Sequence, residues 1–174
     1  MDVQGVYKTK SMWMWEQWRP ASRRSTSWLL QDTWEVRNIT TDEGVTHALD
    51  VVFSGGLAKP VWYIALFNND YTPIGSNTYQ SPGYTESTNY DEGARPTWQE
   101  AGVASKSLTN ASNRAEFTMK TTENIYGGSL VSANTKGDAV SGEILYCVSK
   151  FSAPKPVEDN DVLKVTVVIS GDDA

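Results

Sequence analysis

The sequence feature that most limits the possible folds is the apolar run VWYIALF at residues 61–67. It carries no charge and is rich in aromatic and β-branched side chains. A run this short and this apolar is typical of a strand that is buried on both faces. Two glycines at 55–56 precede it, and the polar residues 68–70 follow it, so both ends carry turn signals. We therefore predict a central strand here.

The remainder of the chain alternates short apolar segments with turn residues. About nine or ten short strands with frequent turns are typical of an antiparallel β-sandwich or jelly roll, so we predict a mainly β fold. No linker divides the 174 residues. We divide the chain into an arm at 1–37, either part of the same domain or an attachment element, and a β-sandwich core at 38–174. Further strands are predicted at 3–10, 25–38, 84–88, 97–99, 106–109, 115–119, 125–131, 144–151 and 162–169, and a loop is predicted at 154–161.

One α-helix is predicted near residues 42–53. Thr41 or Asp42 can cap its first amides, and Gly55 can adopt the left-handed conformation that ends a helix. The apolar residues in between follow helical spacing, which is typical of a helix with one apolar face. These residues are Val45, Ala48, Leu49, Val52 and Phe53.

The charge balance excludes some classes of function. The chain has 15 Lys and Arg against 21 Asp and Glu, a net charge of −6, which argues against general nucleic-acid binding. No apolar run approaches the roughly 20 residues of a membrane span, and the start lacks the regions of a signal peptide. The one cysteine, Cys147, lies in an apolar stretch and is expected to be a buried core residue.

No catalytic, cofactor-binding or metal-binding pattern is present. The sequence has no phosphate-binding loop, no HExxH and no paired cysteines, and His47 is its only histidine. Asp91 and Glu92 are adjacent, so in a strand they point to opposite faces and make a poor glycosidase pair. We instead expect a turn in which Arg95 pairs with Asp91 or Glu92. The sequence predicts no enzyme, cofactor or metal.

Two segments are candidates for contact with a partner. Residues 12–18 hold three Trp and two Met, and Arg19, Arg23 and Arg24 follow. This segment either covers an open end of the core or packs against another copy or partner, because Trp, Met and Arg are enriched at interfaces. The loop at 68–93 is long for a compact domain, and such loops are usually functional. The candidate contact residues are Trp13, Trp15, Trp18, Arg19, Arg23, Arg24, Tyr71, Tyr79 and Tyr84.

An ordered set of motifs from residue 38 to residue 169 resembles a family of tailed-bacteriophage virion structural proteins, which includes head decoration, cement and tail-associated proteins. The arm before residue 38 is not part of the pattern. The motifs are NITTDEG (38–44), LDV (49–51), GG (55–56), WYIALF (62–67), NDYTP (69–73), YDEGARP (90–96), IYGG (125–128), Ser132, TKG (135–137) and DVLKVT (161–166).

The resemblance implies a non-enzymatic component of the virion, assembled in the cytoplasm of the bacterial host. The expected function is that of a capsid decoration or cement protein, a homo-oligomer that binds the major capsid protein and stabilises the phage head. The alternative is a tail or tail-fibre component that contacts other tail proteins or binds host-surface glycans. Neither function involves nucleic acid or a membrane.

Overall fold

The computed structural model of the protein describes residues 8–22 and 25–172. This part of the chain is mainly β, as predicted, with ten strands and one α-helix, which a π-helical turn extends. Most of the predicted first strand (3–10) lies outside the described residues. The elements are β1 (Lys8–Pro20), β2 (Trp28–Thr40), α1 (Asp42–Leu49), the π-helix Asp50–Ser54, β3 (Trp62–Phe67), β4 (Glu86–Ser87), β5 (Thr97–Trp98), β6 (Ser107–Thr109), β7 (Ala115–Thr118), β8 (Glu123–Val131), β9 (Leu145–Val157) and β10 (Val162–Asp172).

The strands form one antiparallel sheet that folds over on itself at β2. The order is β4-β3-β8-β9-β2-β1-β10-β6, with β5 beside β3 and β7 beside β10. β2 pairs with β1 from Trp28 to Arg37, and then with β9 only from Asn38 to Thr40. Because β2 changes partners along its length, the two halves of the sheet diverge and enclose a core between them. The predicted sandwich architecture is confirmed.

Tryptophan rings from β1 and β2 fill the space between the two halves. Trp13 and Trp15 alternate with exposed or half-buried neighbours in β1, so both indoles point inward and are fully buried. The Trp15 ring stacks on Trp13 at 5.6 Å and on Trp34 at 6.1 Å, and the Phe151 ring of β9 meets Trp15 edge-on at 4.9 Å. Such aromatic pairs add to the stabilisation from area burial. The first strand of the arm is thus part of the core.

The predicted central strand, β3, lies beside β8, where glycines leave room for its side chains. Ile64 to Phe67 are all buried, as expected of a strand covered on both faces. A Cβ atom on Gly127 would lie 2.4 Å from the Phe67 ring, and one on Gly128 would lie 2.8 Å from the Trp15 ring. The register of β8 shifts between Ile125 and Gly127, and such an irregularity is typical of glycine inside a strand.

The predicted loop at 154–161 is wrong in its first half, because β9 continues through Pro154 and Pro156 to Val157. Proline cannot donate a ladder hydrogen bond and is tolerated where a strand has a free side. Lys155, Pro156 and Val157 pair with β8. Among the described residues, no strand pairs with the other side of this segment, so both prolines fit.

The helix begins and ends as its sequence predicts. Thr41 caps it, since its hydroxyl accepts from the Gly44 N–H at 3.0 Å and donates to the Leu145 carbonyl. The α-helix stops at Leu49, and the π-helical turn continues to Ser54, where Gly55 ends it at a φ of 74°. Gly44 lies directly on β9, because a Cβ atom there would lie 2.5 Å from the Tyr146 carbonyl oxygen.

Replacing Gly44 with Ala is expected to destabilise the protein by about 1–3 kcal/mol, the usual cost of overpacking. Alanine favours a helix over glycine by about 1 kcal/mol, but the clash is with the β9 backbone, which cannot move aside. Gly93→Ala is the matched control, because nothing lies within 4 Å of a Cβ atom there. Urea denaturation measures both, and equal stabilities would contradict the close packing of α1 on β9.

A buried carboxylate joins β1 to the turn between β9 and β10. The Asp161 side chain is fully buried and accepts from Gln17 Nε2 at 2.7 Å, from Arg19 Nε at 2.7 Å and from the Glu158 N–H at 2.9 Å. Burial alone would raise the pKa of Asp161, but the hydrogen bonds from Arg19, the Glu158 N–H and Gln17 outweigh it. The pKa therefore lies below its ordinary value of 3.8.

Asp161→Asn is expected to lower the free energy of unfolding at neutral pH by about 1–3 kcal/mol, because a buried group loses part of its hydrogen bonding. Since the folded pKa of Asp161 is depressed, its charge stabilises the protein fully above pH 3.8, and this contribution is lost as the pH falls through the folded pKa.

The difference between wild type and Asp161→Asn should therefore be large at neutral pH and shrink in acid. Urea denaturation across this pH range measures it. The exposed neighbour Asp159 supplies the control variant Asp159→Asn, which should leave stability unchanged. A difference for Asp161→Asn that stays constant with pH would contradict the ionised role of this carboxylate.

Candidate protein interaction surface

In the polar motif at 90–96, both carboxylates interact with other residues of the chain. Asp91 lies 3.8 Å from Lys120, and Glu92 accepts from the Thr118 N–H at 3.1 Å. The predicted pairing of Arg95 with either of them is wrong. Among the described residues, no group of three or more His, Cys, Asp or Glu is placed to hold a metal ion. No helix in this part of the chain is long and apolar enough to cross a membrane.

Arg95 instead pairs with Glu86, which lies in the loop at 68–93. The guanidinium donates to both Glu86 oxygens, at 2.8 and 2.6 Å, to the Tyr79 hydroxyl at 2.6 Å and to the Ala133 carbonyl at 2.8 Å. Burial opposes its charge, but the bonds to Glu86 and Tyr79 outweigh this and raise the pKa of Arg95. A buried, bidentate pair of this kind fixes the loop in place.

The three tyrosines predicted to contact a partner instead contact other residues of the same chain. Tyr79 is buried. Tyr84 stacks on Phe67 at 4.8 Å, and its hydroxyl lies 2.7 Å from the Ser129 hydroxyl. Tyr71 is half-buried, and its hydroxyl accepts from Asn77 at 2.8 Å. The loop therefore presents little tyrosine surface to a partner.

Two of the predicted contact residues in the Trp-rich segment also point into the core. Trp13 and Trp15 are core residues and offer no surface to a partner, because both indoles fill the space between the halves of the sheet. Trp18 is half-buried, and its Nε1 donates to Glu16 at 2.7 Å. Arg19 is engaged with Asp161 and Glu158. The remaining two predicted residues, Arg23 and Arg24, lie outside the described residues.

Apolar side chains are exposed at the far end of the β1–β2 hairpin. The register shifts between Gln17 and Trp18, after which Trp18 lies opposite Leu30, and Pro20 lies opposite Trp28. Directly opposite residues share a face of the sheet, so these four residues form one cluster, the hairpin patch. Trp28 is 45% exposed and Leu30 is 49% exposed.

A second group of exposed apolar residues lies in the helical segment and just after it. Leu49, Val52, Phe53 and Leu57, here called the helix patch, are 54%, 68%, 79% and 91% exposed. An apolar helix stripe normally covers a core, but this helix contacts β9 through Gly44 and leaves most of its apolar residues in solvent. Contiguous exposed apolar residues of this kind mark interaction sites.

β2 lies between the two patches along the chain. The hairpin patch includes Trp28, the first residue of β2, and α1 begins two residues after its last, Thr40. Because a strand rises about 3.3 Å per residue, the 13 residues of β2 place the hairpin patch roughly 40 Å from the start of α1. One chain thus presents two distant apolar surfaces.

The sequence contains a signal for only one of the two patches. Trp28-Leu29-Leu30 are consecutive, so in a strand they place apolar side chains on both faces, and only one face can cover the core. The helix stripe carries no equivalent signal, because its spacing does not show whether it faces inward.

No known protein-family model and no curated protein sequence matches this chain. The resemblance to phage virion proteins thus rests on the motifs, and it stays a prediction.

A pair of alanine variants tests the assignment of core and surface. Trp15→Ala is expected to lower the free energy of unfolding by about 3–5 kcal/mol, because it empties a buried ring site. Trp28→Ala should change it by no more than about 0.5 kcal/mol, as is usual for surface substitutions. Urea denaturation followed by circular dichroism measures both. A large loss in Trp28→Ala would show that this indole belongs to the fold and would remove it from the hairpin patch.

Proposed function

We propose that the protein is a non-enzymatic virion structural protein, a capsid decoration or cement protein that binds the phage head and bridges neighbouring capsid subunits. The observation that carries this proposal is the pair of exposed apolar patches, one at the start of β2 and one in the helical segment that follows β2. A bridging protein needs two contact surfaces that can bind separate neighbours at once, and the hairpin patch and the helix patch meet that need.

The energetics of small patches suit a cement role. Burying an apolar side chain such as Leu or Phe contributes about 1.5–3 kcal/mol, so a patch of four side chains supports only weak binding after the costs of association. When two such contacts are made by one chain, the second becomes intramolecular and the combined affinity rises steeply. A head that binds many copies gains from each bridge.

Charge supports the same arrangement. The net charge of −6 keeps the chain soluble despite its exposed apolar residues. Asp42 and Asp50 are exposed on the helical segment that carries the helix patch. The capsid surface that receives this patch is therefore expected to present basic side chains around an apolar centre.

The inward packing of the tyrosines favours a head protein over a glycan-binding tail protein. Glycan binding by a tail protein would use exposed aromatic rings, and the loop at 68–93 is the segment predicted to carry them. Tyr79 and Tyr84 are instead engaged with Arg95 and Phe67. A tail position remains an outcome of the experiments below.

The test uses heads assembled without this protein, to which the purified chain is added back. The wild type should bind in hundreds of copies and raise the melting temperature of the heads. Trp28→Ser with Leu30→Ser removes the hairpin patch, and Phe53→Ser with Leu57→Ser removes the helix patch. Each double variant should still bind weakly through its remaining patch but should lose the stabilisation, because it can no longer bridge.

The control is Val103→Ser, which removes an exposed apolar residue outside both patches and should behave as wild type. Circular dichroism first establishes that every variant is folded. A handful of copies in purified virions, counted on a quantified gel, would contradict the head position and favour the tail. Full stabilisation by both double variants would contradict the role of the patches.

A further inference from the structure

A cavity of about 280 Å³ lies beneath the helical segment, where the two halves of the sheet open. Its walls come from both halves, since Trp62, Leu130 and Tyr146 belong to β3, β8 and β9, whereas Leu108 and Ile169 belong to β6 and β10. Val52 and Ala58 are exposed lining residues and lie at its mouth. The cavity is therefore open to solvent and reaches the edge of the core.

The cavity lining is aromatic and aliphatic, and its charged side chain is paired with a carboxylate. The Trp62 ring meets Tyr146 edge-on at 5.7 Å and His47 at 5.9 Å. Trp98 Nε1 donates to the Val167 carbonyl at 3.3 Å. Among the described lining residues, Lys59 is the one with a charged side chain, and it pairs with Glu143 at 3.1 Å. A ligand with a net charge would thus find no unmatched charge among these residues.

We propose that this cavity is a binding site for a small, flat, neutral aromatic molecule of about two rings. Its size fits, since an apolar cavity of about 150 Å³ already holds benzene and this one is nearly twice as large. Aromatic rings prefer edge-on or offset contact with other rings, which the indoles and Tyr146 provide. His47 offers one hydrogen-bonding group for a single polar atom of the ligand.

The backbone above the cavity supports a binding role. Val51 and Val52, which line it, belong to the π-helical turn Asp50–Ser54. Single π-helical turns are rare and occur frequently at functional sites. Of the four helix-patch residues, Val52 alone lines the cavity, and the test of the cavity does not depend on the bridging contacts proposed above.

Indole is the probe for a titration of the ¹⁵N-labelled chain by NMR, together with thermal unfolding. Saturable shifts are expected at the amides of Ala48, Leu130 and Tyr146, with a rise in melting temperature, because a ligand that binds only the folded state stabilises it. Ala58→Trp places a ring at the mouth and should weaken indole binding at least tenfold.

Ala153→Trp is the matched control, because it adds the same ring at an exposed position of β9 outside the cavity and should bind indole as wild type. Val52→Trp gives a second blocked variant if Ala58→Trp misfolds. Absence of shifts at the lining amides, or shifts confined to Phe53 and Leu57, would overturn the proposal. If the NMR signals of the lining amides shift when only the protein concentration is raised, a second copy of the chain occupies the cavity. That result would also overturn the proposal.

Discussion

The stacking of the Trp15 indole is the interaction on which the rest of the structure depends. Its ring contacts Trp34 of β2, Phe151 of β9 and the backbone at Gly128 of β8, so one side chain from β1 joins four strands from both halves of the sheet. Large aromatic rings bury more area than any other side chain. Gly128 is required because any Cβ atom would occupy the space of this ring.

The inward direction of Trp15 also determines what the hairpin shows to solvent. Side chains alternate along a strand, so β1 points Met14 and Glu16 outward when Trp13 and Trp15 point inward. The register shift after Gln17 then places Trp18 and Leu30 together on the outer face. The hairpin patch is therefore a consequence of the core packing, and Asp161 stabilises this end by holding Gln17 and Arg19.

Local patterns predicted local structure well and long-range partners poorly. The Thr41 cap and the buried strand β3 follow from neighbours in the sequence, and both were predictable. The pairing of Arg95 with Glu86 was not predictable, because Asp91 and Glu92 are closer to Arg95 in sequence. The path of the loop is what brings Glu86 next to Arg95. The sequence likewise left open whether the arm at 1–37 is part of the same domain or an attachment element, and its first strand supplies core residues. Its spacing shows that Trp13 and Trp15 share a face but does not show what covers that face.

The helical segment connects the two proposals through one side chain. Val52 lines the cavity and belongs to the helix patch, with 68% of its surface exposed. A molecule in the cavity and a partner on the patch would therefore contact the same turn of π-helix. If one changes the affinity for the other, the effect is reciprocal by thermodynamic linkage. The N-terminal end of the segment is held to β9 by Thr41, Glu43 and Gly44, so the π-helical turn at its other end is the part that an occupant of the cavity would displace, and the helix patch would move with it.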